Sequence, residues 1–475
     1  MLYQKKKKYM KTERRIYAFV LLFIIAIFLM RVCEGNIEAA EDASLLIRLS
    51  DQYQMGTVYD RNGNAIVRGT DGGMEWTGNQ EEQEAMAGLF GPALENTYAS
   101  RMTIWGMASE LFGYNDARLN LKDLLRPGKA RVGGSIELTI DKELQTFICS
   151  LLKKKGVENA AVVVSNWGTG EILAAVSLPA SLPGEAEEKI SSIFSQLYSP
   201  GSTIKIILAA AALSIDPDLA SFEYDCTAEN HVFHTEQGDY RVSCAGNVYH
   251  GRVDMAEAIA DSCNGYFISL LQQLPEDELA EELKKWGFDT TISFDQFSYW
   301  DQAFSGGDAS EIEYLLGAIG QGNCSITPIG LNLCTNVLLN SGRLQEPVVI
   351  QKRSASPEDD MRSCLSGKSY EVCDEMAADT VKEMMLGVTS YGTGTDFGMN
   401  GFAAKTGTAQ KADEEGNPSD FYTVWTTGGL TEEESPYSVT VCFDNVSGDI
   451  HSTYAGQTAK EILEYMTGAS CIIQI

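Results

Sequence analysis

The sequence predicts an α+β fold, an antiparallel sheet flanked by helices, preceded by a smaller N-terminal part. Three observations carry this. Strand patterns occur over residues 160–177 and again over 421–443, helical patterns fill the interval between them, and one helix beginning near Ser202 is apolar on nearly every side.

Taken in order, residues 57–67 read as a β-hairpin around Asn62-Gly63, and residues 82–89 and 99–112 as helices. Asp60, Asn62 and Asn64 imitate a calcium loop, but Ala65 replaces the required glycine and no glutamate closes it. In the larger part, residues 160–166, a turn at Gly168-Thr169-Gly170 and residues 171–177 form a strand hairpin. A buried helix follows Pro200-Gly201 as far as Leu213, and shorter helices cover 255–260 and 267–274. Phe402, Ala403, Ala404 and Ala409 suggest an extended strand. Strands over 421–427 and 437–443 enclose an acidic turn, and residues 454–465 form a last helix. No internal repeat or long low-complexity linker interrupts this series.

The beginning of the chain has a different character. Lys5 to Lys8, Lys11, Arg14 and Arg15 precede an apolar run over 16–30. This predicts a basic cytoplasmic tail at 1–15 and a membrane anchor at 16–32, with a cleaved signal peptide as the alternative. Residues 33–140 then make the N-terminal part and 141–475 the larger one. The chain carries a net charge of −30, from 36 basic and 66 acidic residues. Since eight of the basic residues fall within 1–32, the remainder is more acidic still, which argues against nucleic acid or anionic lipid as partners.

Three short motifs carry chemistry. Ser202 and Lys205 lie three residues apart, so that one helix face presents both, and the free N–H groups of a helix start favour an oxyanion. Ser262-Cys263-Asn264 falls between two helical patterns. Lys405-Thr406-Gly407-Thr408 lies on a strand, where Gly407 permits another backbone to approach. A serine hydroxyl needs a neighbouring base, and Lys205 can serve only when neutral, a state favoured by burial and by a second cation such as Lys405.

These motifs in this order resemble those of the penicillin-binding proteins and serine β-lactamases. The stretch from Tyr198 to Lys205, the one from His250 to Phe267, and Lys405 to Gln410 all look like family segments. Residues 56–63 and 138–145 resemble the class B enzymes, the monofunctional transpeptidases of bacterial wall synthesis, in a short form. Ala404 and Ser199 depart from the family pattern, where glycine and proline are frequent. The resemblance implies a transpeptidase domain on an N-terminal pedestal. It also implies that Ser202 attacks the D-Ala-D-Ala carbonyl of a peptidoglycan stem peptide, with Lys205 as base and Ser262 with Lys205 or Lys405 as proton relay. Asn264 would bind the substrate amide, Lys405, Thr406 and Thr408 its carboxylate, and the N–H groups of Ser202 and Thr408 the oxyanion. β-Lactams would mimic the first step. A separate glycosyltransferase is the implied partner, the catalytic domain lies on the extracytoplasmic face, and no cofactor is called for. A D,D-carboxypeptidase, a β-lactam-hydrolysing enzyme, a β-lactam sensor and a catalytically vestigial scaffold are the alternatives.

Of the eleven cysteines, Cys226 with Cys244 and Cys364 with Cys373 are possible disulfides, while Cys263 reads as a small buried residue. His231, His234, His250 and His451 have no companion spacing of a zinc site, so no metal is expected. Residues 392–398 imitate a dinucleotide loop with the wrong spacing and read as a mobile loop near the third motif.

Overall fold

The computed structural model describes residues 53–70, 73–90, 111, 131–180, 192–194, 196–235, 238–296, 298–299, 302–304, 310–413, 417–448, 450 and 452–468, with helical positions at 15, 17, 19–23 and 25. Among the first elements are strands β1 (Val58–Tyr59), β2 (Ala65–Thr70) and β3 (Gly73–Trp76), helix α1 (Gln80–Phe90), strand β4 (Ile136–Leu138) and helix α2 (Lys142–Lys154). The hairpin expected over 57–67 is β1 with β2, and Asp60 Oδ1 organises its turn by accepting from the N–H groups of Asn62 and Asn64. Asp141 caps α2 by accepting from the N–H groups of Glu143 and Leu144.

Next come β5 (Ala160–Asn166), β6 (Ile172–Leu178), the apolar helix α3 (Ile204–Ile215), strands β7 (Tyr224–Cys226), β8 (Val232–Thr235), β9 (Gly238–Arg241) and β10 (Gly251–Val253), and helices α4 (Met255–Ala260) and α5 (Asn264–Leu271). Helix α6 (Pro328–Leu339), strands β11 (Ile350–Arg353) and β12 (Arg362–Ser363), helix α7 (Glu375–Ser390), strands β13 (Phe402–Ala412), β14 (Pro418–Leu430) and β15 (Tyr437–Ser447), and helix α8 (Ser452–Thr467) complete the series.

The predicted antiparallel sheet has the order β13-β14-β15-β5-β6. Side chains alternate across it. Ala160, Val162 and Val164 of β5 join Leu144, Ile148 and Leu152 of α2 and Ala459, Ile462 and Leu463 of α8 in one core. Ala161 and Val163 enter the opposite core with α3, α6 and α7. With both faces covered, the strand reads as an unbroken apolar run. One seam under the sheet is polar: Ser165 Oγ donates to Asn332 Oδ1 at 2.7 Å, Ser438 Oγ to Asn336 Oδ1 at 2.5 Å, and the Thr335 and Thr427 hydroxyls meet at 2.6 Å. All six groups are buried, and each finds its partner here instead of in water.

A second sheet has the order β12-β11-β4-β1-β2-β3, with β4 parallel to β1 and antiparallel to β11. The sequence division at residue 140 therefore falls between strands that one sheet unites. The helix expected over 267–274 starts instead at Asn264, because Ser262 and Cys263 make the turn that leads into it. Of the helix expected over 99–112 only residue 111 is described, and of the anchor over 16–32 only residues 17, 19–23 and 25, which are helical. Among the described residues no helix is long and apolar enough to cross a membrane.

Candidate active site

Gly201, Ser202 and Thr203 form a single 3-10 turn that runs directly into α3. Thr203 Oγ1 closes the turn by donating to Pro200 O at 2.8 Å. The turn is clamped by two close backbone contacts. Gly201 adopts φ +54°, and a Cβ there would lie 2.7 Å from Thr408 O; a Cβ at Gly407 would lie 2.7 Å from Pro200 O. Only chain without side chains fits on both sides. Trp425 Nε1 adds a hydrogen bond to Ser199 O at 3.0 Å. The first motif thus sits against the third, although some two hundred residues separate them. Ala404 stands opposite Gly428 in the β13–β14 ladder, so the methyl group at this departure from the family pattern is met by a residue without one.

The second motif completes the site. Ser262 adopts φ +58°, a left-handed conformation unusual for a residue with a side chain, and its turn delivers Asn264 to the start of α5. Lys205 Nζ donates to Ser262 O at 2.8 Å, Ser262 Oγ at 3.2 Å and Asn264 Oδ1 at 2.7 Å. Lys405 Nζ donates to the same Ser262 Oγ at 3.1 Å and to Thr406 O at 3.1 Å. One hydroxyl therefore lies between two amines. Both lysines are fully buried. Burial depresses the Lys205 ammonium to about 8, and Lys405 is pulled well below the usual lysine value by burial and then by the charge of Lys205. Two ammonium charges on one hydroxyl would repel strongly in so dry a place, which favours at least one neutral amine.

Ser202, Ser262, Asn264, Thr406, Gly407 and Thr408 all line one groove of about 580 Å³. Lys205 and Lys405 reach it from below through Ser262. Ser202 Oγ and Lys205 Nζ form no direct hydrogen bond, and the amine's donors go to Ser262 and Asn264. The eight motif residues expected to carry the chemistry are thereby gathered at this groove or bonded to Ser262 beside it. Asn264 has an additional part: its amide oxygen holds Lys205 and its Nδ2 donates to Ser243 O at 2.7 Å.

Residues 160–464 match the family model described as "Penicillin binding protein transpeptidase domain". The chain belongs to the penicillin-binding protein transpeptidase family. Stage V sporulation protein D of Bacillus subtilis is 26% identical over 351 residues, covering 70% of this chain and 52% of that protein. The peptidoglycan D,D-transpeptidase MrdA of Acinetobacter baumannii is 28% identical over 328 residues, covering 62% and 47%. The chain thus spans about half the length of these curated relatives. The ceftriaxone acyl-enzyme of penicillin-binding protein A from Mycobacterium tuberculosis superposes with a TM-score of 0.71 at 18% identity, covering 89% of this chain and 99% of that one. These relatives bear out the class B resemblance.

Within this penicillin-binding protein, sequence reasoning missed Thr393 and misread the thiols. Thr393 lines the groove, its hydroxyl meets Thr406 Oγ1 at 3.0 Å, and its N–H donates to Ala260 O at 3.0 Å. The segment expected to be a mobile loop is instead fastened to the end of α4 and buries Phe397. Its nearness to the third motif was the only signal. Cys226 and Cys244 are thiols, with Sγ atoms 4.0 Å apart, about twice a disulfide bond. Cys364 and Cys373 are thiols too, and Cys373 Sγ lies 3.4 Å from Ser214 Oγ. The histidines carry no zinc-type spacing in the sequence, yet the fold gathers one of them with cysteines. His250 lies beside the sulfurs of Cys226, Cys244 and Cys263, brought there by β7, β10 and the second motif.

Proposed function

We propose that the chain is a serine D,D-transpeptidase that crosslinks peptidoglycan stem peptides and is acylated by β-lactams. The observation that carries this reading is the placement of Ser262 Oγ between two buried, pKa-depressed amines in a groove that Ser202 also lines. Ser202 Oγ attacks the carbonyl between the terminal D-alanines and its proton passes to neutral Lys205. Ser262, within hydrogen-bond reach of both amines, returns that proton to the leaving D-alanine. The Ser202 and Thr408 N–H groups hold the oxyanion, each contributing roughly 3 kcal/mol. Asn264 takes the substrate amide, and Lys405, Thr406 and Thr408 receive the terminal carboxylate. An amine from a second stem peptide then resolves the acyl-enzyme into a crosslink.

The basic residues before position 16 and the apolar run to 30 support a single-pass anchor at 16–32, a cytoplasmic tail at 1–15 and an extracytoplasmic catalytic domain. Residues 33–140 then serve as the pedestal beneath a catalytic domain over 141–475, and a separate glycosyltransferase supplies the glycan strands. Fluorescent penicillin tests the assignment: wild type labels covalently and Ser202→Ala does not. Equal labelling of both would refute it. Crosslinked product from stem peptide and amine acceptor distinguishes this transferase from an enzyme that only releases D-alanine.

A further inference from the structure

Next to the second motif, Sγ of Cys226, Cys244 and Cys263 and a ring nitrogen of His250 all lie within 4.8 Å of one another. The three cysteines are buried and His250 is half-buried. Cys226 and Cys244 Sγ are 4.0 Å apart, Cys244 and Cys263 Sγ 3.8 Å, and Cys226 Sγ lies 3.4 Å from His250 Nδ1. A tetrahedral zinc ion, with sulfur at about 2.3 Å and nitrogen at about 2.0 Å, sets sulfur–sulfur edges near 3.8 Å and sulfur–nitrogen edges near 3.5 Å. These three edges agree with that figure, and the other three lie within 4.8 Å.

We propose that Cys226, Cys244, Cys263 and His250 bind one tetrahedral divalent cation of the zinc type, and that the ion anchors the turn presenting Ser262 and Asn264. Three sulfurs and one imidazole are the donor set that soft-to-borderline cations select over calcium or magnesium. Binding exchanges three S–H bonds for three sulfur–metal bonds, with the protons passing to solvent and no change of oxidation state. The surroundings suit thiolates: the N–H of His250 donates to Cys226 Sγ and that of Asn264 to Cys244 Sγ, each at 3.3 Å. His231 stands behind the ligands, with Nε2 at 3.1 Å from Cys226 Sγ and Nδ1 at 2.5 Å from Val242 O, the outer-shell arrangement that fixes a metal site.

Cys263 is the link to chemistry. It lies between the two residues that hold Lys205, in a turn whose Ser262 is already in a left-handed conformation. A ligand bond at Cys263 ties that turn to β7 and to the segment carrying Cys244 and His250, so the ion positions the proton relay without touching substrate.

The test is the metal content of the intact chain, purified with reductant and without chelator and measured by elemental mass spectrometry. One zinc per chain is expected, retained by Cys149→Ala and lost by at least tenfold in Cys226→Ser and in His250→Ala. Cobalt added to chelator-stripped wild type should give thiolate-to-cobalt charge-transfer absorption, a readout that needs no variant to fold. A folded wild type that takes up neither zinc nor cobalt overturns the proposal. So does a Cys226–Cys244 disulfide in the purified chain, or metal lost in His231→Ala but retained in His250→Ala. None of these readouts involves acylation, so the metal site and the transpeptidase reading stand or fall separately.

Discussion

Residues 262–264 face two ways, and the two sides obey different chemistry. Ser262 and Asn264 turn toward amines: each accepts from Lys205, and Ser262 Oγ also accepts from Lys405. Cys263, between them, turns toward sulfur, with Cys244 Sγ at 3.8 Å. On the amine side, burial acts on cations and drives them toward the neutral form that a base requires. On the sulfur side, the hydrogen bond shared with Cys263 and then the N–H groups of Asn264 and Gly265, working against burial, pull the Cys244 thiol down to about 4, while Cys263 itself is pushed up. The same dry interior discharges one set of groups while its hydrogen bonds favour charge on the other. Alternation of side-chain direction within three residues is enough to serve both.

Removing Lys205 should separate the sides most sharply. Lys205→Ala leaves Ser262 and Asn264 without their shared donor and Ser202 without a base, so β-lactam acylation should fall by about 10²- to 10⁴-fold. Metal content should be unchanged, since no ligand touches Lys205. Stopped-flow acylation and elemental analysis on the same preparation check both halves. Gly407→Ala attacks the amine side from behind. Its Cβ would meet Pro200 O at 2.7 Å and Thr203 Cγ2 at 2.8 Å, so the third motif and the Ser202 turn must part. A displacement of about 1 Å costs roughly 10²-fold in rate. Acylation should fall by that order with the thermal transition little changed, and a loss confined to stability would contradict the clamp.

The pH dependence comes next in size. Lys205 has a folded value of about 8 against 10.5 for a free lysine, and the neutral form is the active one. Acylation should therefore rise with pH, about tenfold from pH 7 to pH 9, and flatten above. The folded state binds fewer protons than the unfolded one between about 8 and 10.5, so Lys205's contribution to stability also increases across that window. A rate that falls from pH 7 to 9 would exclude Lys205 as the base.

The amine side was readable because its chemistry is local. Ser202 and Lys205 share a helix start, and Ser262 and Asn264 share a turn. The antiparallel sheet was readable for a similar reason: Ala160–Asn166 is an apolar run of strand length, and residues 437–443 intersperse apolar residues with only Ser438 and Thr440. The sulfur side was not. Its donors, Cys226, Cys244, His250 and Cys263, follow one another at 18, 6 and 13 residues, without the tighter paired spacing that marks zinc motifs, and only β7 against β10 brings Cys226 to His250. The seam of Asn332, Thr335 and Asn336 was hidden likewise, since an apolar helix pattern gives no hint that hydroxyls of the sheet await its polar residues. The second sheet escaped notice because β11, drawn from beyond residue 349, completes strands that begin at Val58.

Thr393 offers the finest test of how tightly the amine side is held. Its hydroxyl meets that of Thr406, the residue after Lys405, and its backbone is fastened to the end of α4 just before the second motif. It touches neither lysine, so it acts by orienting Thr406 and through it the carboxylate end of the groove. Loss of one such hydrogen bond is worth about 1 kcal/mol, or roughly fivefold. Thr393→Val keeps the shape and should weaken the apparent affinity for β-lactam by about that factor, with the pH profile of acylation unmoved and Thr393→Ser restoring most of the loss. A shifted pH profile would mean that Thr393 reaches the amines after all, and that the groove's carboxylate end and its proton relay are one unit instead of two.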